Sequence, residues 1–424
     1  MRNIGIIAEY NPFHNGHKYQ IDYAKSALGF DNVVVAMSGS FTQRGEIAIT
    51  DKYSRAEMAL FGGADLVLEI PTIFATASAR EYATAGVNLL YSTGIVSDIL
   101  FGTENADENT ILEISQAIVS AESSGSFDEM IRLELSTGST YAVARAKAIC
   151  NIIGSADDIE ALISTPNNIL AIEYTCCILR NGYDITIHCL NRCDNGYHSN
   201  VPHDEFASAS FIRGKALEQN TNSLTYNKTD SFSSTALDSI ASYVPASALD
   251  IIHSATLLSP DDISVLLHEK LILEDDFTSY LDCTESISNK ILNSRNDFVS
   301  FTGFIETLKT KELSYTRISR VLIHILLGIK KELFDDTKAR NYISYIRVLG
   351  CSESGVKLLG TLGTPTSPLI ISPQDVSIEN LSPNAQDCFS IDEYAYNIYR
   401  IITTSKTGIA TPVEKSRKFL KVQR

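Results

Sequence analysis

Within its first hundred residues the chain sets down four short apolar runs, each separated from the next by a stretch of helical period. Asn3–Ala8, Asn32–Met37, Asp65–Ile70 and Ser97–Phe101 have strand length. Between them lie Gly16–Leu28, Lys52–Phe61 and Ser78–Tyr91, the first with Ile21, Ala24 and Leu28 on one helical face. The run Asn32–Met37 is apolar without alternation, the mark of a strand covered on both faces. Gly62-Gly63 stops the second helix and Pro71 the third strand. A β-α-β-α-β order of this kind admits few folds, because parallel neighbours need long, right-handed crossovers. The expected class is α/β, a Rossmann-like parallel sheet. Ligands of such sheets sit at the carboxyl ends of the strands, where His14 and Gly102 both fall.

At 424 residues the chain exceeds one typical core, so two domains are expected: 1–220, built around the sheet, and 221–424, mainly helical. Helices are predicted over 108–150, from Asn167 to about Leu179 and over Ser208–Leu217, with a strand at Asp184–Leu190. Gln219–Ser234 is rich in Asn, Thr and Ser and reads as a linker. Residues 235–360 read as helical, and Gly360–Gln386 as irregular apart from a short strand at Leu369–Ile371. No apolar run has the length of a membrane span, and the start moves into a strand rather than a secretory segment. A cytoplasmic protein is the expectation. The eight cysteines form no Cys-x-x-Cys, which points to reduced, buried thiols rather than zinc or redox chemistry. A formal charge of −16 disfavours nucleic-acid binding by the chain as a whole, so any such site must be a local basic patch.

The first strand runs into His14-Asn15-Gly16-His17. Gly16 lets the backbone approach a ligand, and the helix that begins there aims its free N–H groups and positive dipole end at the same place. Imidazoles at 14 and 17 add donors able to neutralise charge on a pentavalent phosphorus and on departing pyrophosphate, which makes His14 and His17 the candidate catalytic residues. A turn with two surface histidines is the plainer alternative, against which stands the constrained loop Tyr10-Asn11-Pro12-Phe13 just before it. A second constellation is Phe206–Arg213: Ser208 and Ser210 leave room for phosphate at a helix start, and Arg213 lies one turn in. Alone it reads as an N-cap with a surface arginine; beside the histidine turn it reads as a second phosphate contact. The loop Ser38–Glu46 follows the second strand and faces the same crevice, where Gln43 and Arg44 can hold a small acid or a nucleobase, or simply be solvated. Asn167 and Arg192, taken alone, read as a helix cap and a strand-end charge.

A histidine turn after the first strand together with a Ser-x-Ser-x-x-Arg helix start resembles the nucleotidyltransferase superfamily, with its HIGH-type motif and HUP-type α/β fold. The fuller text is similar to one family, the bacterial tRNA(Met) cytidine acetate ligases. The resemblance rests on the stretches 10–17, 41–46, 63–71, 101–104, 166–170, 196–198, 207–210, 315–320 and 345–350, and so spans nearly the whole chain. It implies adenylation of acetate by ATP, then transfer of the acetyl group to the exocyclic amine of the wobble cytidine of elongator tRNA(Met). It also implies that Ile7, Ala8, Glu9, Tyr10, Asn11, Pro12, Phe13, His14, Asn15, Gly16, His17, Lys18, Tyr19 and Gln20 line ATP. Gly102, Asn167 (or Asn168, should the register slip by one), Arg192, Ser208, Ser210 and Arg213 complete that site. Mg²⁺ is expected to accompany ATP, although the sequence holds no dedicated carboxylate cage. The segment Arg192-Cys193-Asp194-Asn195-Gly196 departs from the family's glycine-rich turn in having fewer small residues.

Between 309 and 347 nine basic residues face four acidic ones, a local excess in an acidic chain. Arg317, Arg320 and His324 form a stripe at helical spacing, Lys330, Lys331 and Arg347 follow, and Tyr315, Tyr342 and Tyr345 can stack on unpaired bases. Charge alone reads as a solvated helical face, and the basic tail around Lys415–Arg424 as disordered. The resemblance turns the first reading toward RNA contact by Arg317, Arg320, Lys330, Lys331 and Arg347. The rivals are adenylyl transfer to a small metabolite on the same fold, and a non-catalytic RNA-binding protein with a degenerate nucleotide site.

Overall fold

The apolar runs become strands and the helical-period segments become the crossovers between them. In the computed structural model, residues 1–154, 157–191, 205–218, 238–362, 367–371, 374 and 378–424 are described. The expected linker Gln219–Ser234 and the position of Arg192 lie outside them. In chain order β1 (Asn3–Ala8), α1 (Asn15–Ser26), β2 (Asn32–Ser38), α2 (Lys52–Phe61), β3 (Leu66–Ile70), α3 (Ala79–Ser92) and β4 (Asp98–Thr103) alternate as expected. After a layer of helices come α4 (Pro166–Asn181), β5 (Thr186–Asn191) and α5 (Ala209–Leu217).

β1 through β5 are all parallel, with Ile4 beside Val33, Val34 beside Leu66 and Ile99 beside Ile187. All seven residues of β2 are buried. Val33, Val35 and Met37 enter one core with Ile4 and Ile6 of β1, whereas Val34 and Ala36 enter the other with Leu66 and Leu68 of β3. That is the two-sided burial a continuous apolar run requires. The strand order β5-β4-β1-β2-β3 reverses direction between β1 and β4. A parallel sheet opens a crevice at such a switch point, beyond its carboxyl ends.

The stretch 235–360 is mainly helical, as expected, and includes α6 (Tyr315–Leu327), but it also holds β6 (Ile346–Ser352), a strand not read from the sequence. β6 joins the same sheet antiparallel to β3, with Glu69 beside Arg347 and Leu66 beside Cys351. Two further strands, β7 (Leu369–Ile370) and, beyond α7 (Pro383–Thr407), β8 (Leu420–Val422), extend it by pairing with β6. Residues from both sides of the expected 220/221 boundary therefore share one sheet. Arg347 hides β6 in the sequence, because a charge interrupts its apolar run. In the fold that charge is buried, 1 % exposed, between Glu69 and Glu414. The basic tail is likewise ordered against the body: Arg417 donates to the Tyr396 hydroxyl at 2.7 Å, and Arg424 pairs with Asp65 at 3.2 Å. No helix among the described residues is long and apolar enough to cross a membrane.

Candidate active site

β1 delivers its carboxyl end to the switch point, and the chain turns there through Tyr10, held at φ 47°, and a cis Asn11–Pro12 bond. His14 then caps α1. Its Nδ1 accepts from the Gly16 amide at 3.1 Å, while the Nδ1 of His17 accepts from the His14 amide at 3.3 Å. The two rings stack with centroids 3.7 Å apart. An Nδ1 that accepts carries no proton, so in this arrangement each imidazole bears its proton on Nε2 and is a donor there. Glycine at 16 is what allows the reciprocal cap: a Cβ at that position would sit 3.0 Å from His14 Cε1.

The two histidines open on a cavity of about 360 Å³, the size of a small-molecule site. Of the expected ATP residues, Ile7, Ala8, Glu9, Tyr10, Asn11, His14, Gly16, His17, Tyr19, Gln20, Gly102, Asn167, Ser208, Ser210 and Arg213 line it. Pro12, Phe13, Asn15 and Lys18 do not. Phe13 is fully buried in the core that α1 and α2 cover. Asn15 ties the loop to the carbonyls of Glu205 and Ser242, and Lys18 pairs with Asp22 one turn along α1. Pro12 and Phe13 belong to the turn before α1, and Asn15 and Lys18 lie on the helix without sharing its cavity face. Gln20 reaches across and donates to the Leu100 carbonyl at 3.1 Å, which fixes α1 against β4.

Opposite α1, the carboxylate of Glu104 clamps the start of α4. It accepts from the amides of Asn167 and Asn168 and, at 2.7 Å, from the Asn167 side chain. Asn168 is fully buried and spends its amide on Glu104, Asn105 and Leu162. Asn167, not Asn168, is therefore the cavity residue. Ser208 caps α5, its Oγ accepting from the Phe211 amide at 3.2 Å. Arg213, one turn in, donates to the Asn11 carbonyl at 2.7 Å and so joins the two expected phosphate motifs directly.

The loop after β2 forms the third wall, with Thr42, Gln43, Arg44 and Glu46 facing the cavity. Gln43 donates through its amide to the Glu9 carboxylate at 2.7 Å and through its side chain to the Ala77 carbonyl. Burial pushes the Glu46 carboxyl up from its ordinary value against the opposing pull of Arg213 and Arg44, and Glu9 adds to the rise. Beneath this wall the fully buried Arg55 donates to the carbonyls of Glu9, Ser38, Gly39 and Thr50, binding the ends of β1 and β2 together. Burial brings its guanidinium down to about 10, which leaves it cationic at neutral pH. Neither Arg55 nor Glu104 was singled out by the sequence. Nothing there separates Arg55 from a solvent-facing arginine, while Glu104 lies in the family-like stretch 101–104 without a role attached.

The expected RNA residues divide. Arg317 and Arg320 lie half-buried at the start of α6, Lys330 packs over the Tyr280 ring at 3.2 Å and Lys331 is exposed. Arg347 is corrected: it sits inside the protein among carboxylates and offers no surface to RNA. His324 leaves the expected stripe as well, since it is fully buried and bridges the Leu281 and Thr76 carbonyls. Tyr345 is buried on Asp392, and Tyr342 is committed to Glu81. In each case a helical or strand position that reads as polar surface from one element is covered by another.

A family model described as HIGH Nucleotidyl Transferase matches residues 1–411. The tRNA(Met) cytidine acetate ligase of Thermosipho melanesiensis is 31% identical over 381 residues, covering 88% of this chain and 85% of that protein. The protein of the same name from Caldanaerobacter subterraneus subsp. tengcongensis is 33% identical over 423 residues, covering 98% and 100%. Two crystal structures of Thermotoga maritima TmcAL share the fold over the full length of both chains at 24% identity. The apo form gives a TM-score of 0.88, and the form bound with alpha-thio ATP gives 0.86. The match over nearly every residue, to the family model and to full-length relatives alike, establishes that the chain belongs to the tRNA(Met) cytidine acetate ligase family of HIGH nucleotidyltransferases.

Proposed function

We propose that this chain binds ATP in the cavity between α1, α4 and α5, activates acetate as acetyl-AMP, and passes the acetyl group to the wobble cytidine of elongator tRNA(Met), giving N4-acetylcytidine. Acetate is a poor acyl donor because its leaving group would be oxide; the mixed anhydride supplies a good one. The observation that carries the reading is the reciprocal cap of His14 and His17, which presets two Nε2–H donors at a helix N-terminus, where a triphosphate tail is best held. His14 and His17 would stabilise the pentavalent phosphorus and departing pyrophosphate. Gly102 and Asn167 would lie against the nucleotide, with Ser208, Ser210 and Arg213 on its phosphates. Arg192 is retained as a proposed nucleotide contact on resemblance alone.

Among the described residues no group of three or more His, Cys, Asp or Glu side chains is gathered to hold a metal. Mg²⁺ is therefore proposed to enter with ATP, ligated mainly by its phosphates and water. The residues 221–424 would add RNA backbone contacts through Arg317, Arg320, Lys330 and Lys331. The test is incubation with ATP, isotopically labelled acetate and elongator tRNA(Met), followed by nucleoside analysis. Label in N4-acetylcytidine is the expected result. Its absence, or nucleotide exchange that depends on another small metabolite and not on acetate, would overturn the reading.

A further inference from the structure

The acyl-transfer half of the reaction needs a group that recognises the cytosine amine and removes a proton from it. A carboxylate does both, since it accepts from the N4 amine that separates cytosine from uracil. Among the described residues two carboxylates line the cavity, and they differ. The Glu9 carboxylate is occupied by the Gln43 amide, whereas the Glu46 carboxylate accepts no hydrogen bond from any described residue and faces the charges of Arg213 and Arg44. Glu46 also stands at a junction. Its loop is a small hairpin, with the Thr42 amide donating to the Glu46 carbonyl at 3.0 Å and Phe41 bridged to Ile47. The preceding residue, Gly45 at φ 76°, is pressed onto α6: its carbonyl accepts from the Ser319 hydroxyl at 2.7 Å, and a Cβ there would lie 2.5 Å from the Arg320 amide nitrogen. The hairpin is thus wedged between the nucleotide cavity and the helix start that carries Arg317 and Arg320.

We propose that Glu46 is the residue that receives the target cytosine, accepting its N4 amine and acting as the general base of acetyl transfer. The inference rests on the ligase reading above. In the step, the N4 lone pair forms a C–N bond to the acetyl carbonyl carbon. The bond from that carbon to the phosphate oxygen breaks, its electron pair leaves with AMP, and the N4 proton passes to the Glu46 carboxylate, which later returns it to water. The charged and titratable groups around Glu46 come from four elements: Glu9 at the end of β1, Arg44 on its own loop, Arg213 on α5 and Tyr315 on α6, with the two histidines of α1 across the cavity. Tyr315, half-buried at the start of α6, is raised chiefly by burial, with the Glu46 carboxylate adding to the rise, so the two side chains lie near one another where the hairpin meets α6. Burial raises the Glu46 carboxyl, which suits a base working near neutral pH.

The experiment compares wild type with Glu46→Gln in two assays on the full chain: acetate-dependent ATP–pyrophosphate exchange, and single-turnover acetylation of elongator tRNA(Met). Transfer is expected to fall about 100-fold more than exchange, with the acidic limb of the wild-type pH–rate profile, rising as Glu46 deprotonates, absent in the variant. Exchange by the variant certifies its fold. Equal losses in the two assays, or a loss of exchange that added Mg²⁺ restores, would overturn the assignment and place Glu46 with ATP. Unaltered transfer would overturn it too. Wild type that forms no N4-acetylcytidine would instead defeat the ligase reading itself.

Discussion

Gly16 shows how one side chain, or its lack, sets the chemistry of the site. It lies inside the first turn of α1, where alanine is the better helix former by about 0.5–1 kcal/mol. Yet its missing Cβ is the space in which the His14 ring turns back to accept the Gly16 amide. Gly16→Ala is therefore expected to melt no lower than wild type while its exchange rate falls about tenfold, because the ring must give by a few tenths of an ångström and misplacements of ~1 Å cost about 100-fold. Unchanged kinetics with a lowered melting temperature would mean that the glycine serves the fold alone. The thiols are mostly buried, as the sequence leads one to expect, and burial pushes those of Cys176, Cys177 and Cys388 up to about 12.

Among the elements, α6 carries the clearest expectation for RNA. Arg317 at its start, with Lys331 just past its end, is placed to neutralise phosphates. Arg317→Ala and Lys331→Ala are each expected to weaken tRNA binding and to reduce the slope of log K against log salt by about 1, read from filter binding at several salt concentrations. A slope that does not change would remove them from the interface. The elements around the site were legible because their signals are local. The two-sided apolar run of β2, the glycine stop after α2 and the proline start of α4 each depend on residues within a few positions. β6 and the tail were not legible because their signals are partners far away in sequence. Arg347 reads as surface charge until Glu69, Asp392 and Glu414 surround it, and Lys415–Arg424 reads as a disordered basic end until Tyr396, Glu393 and Asp65 meet it. The cavity's histidines and serines were found from motifs and its asparagine from the family resemblance, whereas Arg55 donates only to backbone carbonyls and leaves no pattern to read, and Glu104 lies in a family-like stretch that does not show its distant partner, the start of α4.

Across the whole molecule the two halves are bolted by one buried ionic cluster. Lys52 lies 2.8 Å from both Glu69 and Glu414, Arg347 forms ion pairs with the same two carboxylates, and Tyr53 donates to Glu414 at 2.9 Å. Arg347→Met would leave carboxylates buried without their partner, at an expected cost of about 3–5 kcal/mol in urea unfolding; a cost under about 1 kcal/mol would contradict this. The cluster also sets an acid limit. Burial by itself would raise Glu414, but Lys52 and Arg347 outweigh it and hold the carboxyl at about 2. A carboxyl depressed in the folded state contributes stability above its unfolded value and loses it as pH falls toward the folded one. Glu414 should therefore surrender on the order of 3 kcal/mol between about pH 4.5 and pH 2, and Glu414→Gln should flatten that limb. Glu69, fully buried and facing Asp392 and Glu414 besides, is raised by burial, so the comparison with Glu414→Gln is what isolates the effect. All of this scaffolding serves the crevice at the switch point, and the most direct test of what that crevice does is ATP–pyrophosphate exchange. Exchange that appears with acetate and falls at least 100-fold in His17→Ala is the expected result. Exchange indifferent to acetate, or to the loss of that imidazole, would contradict the account.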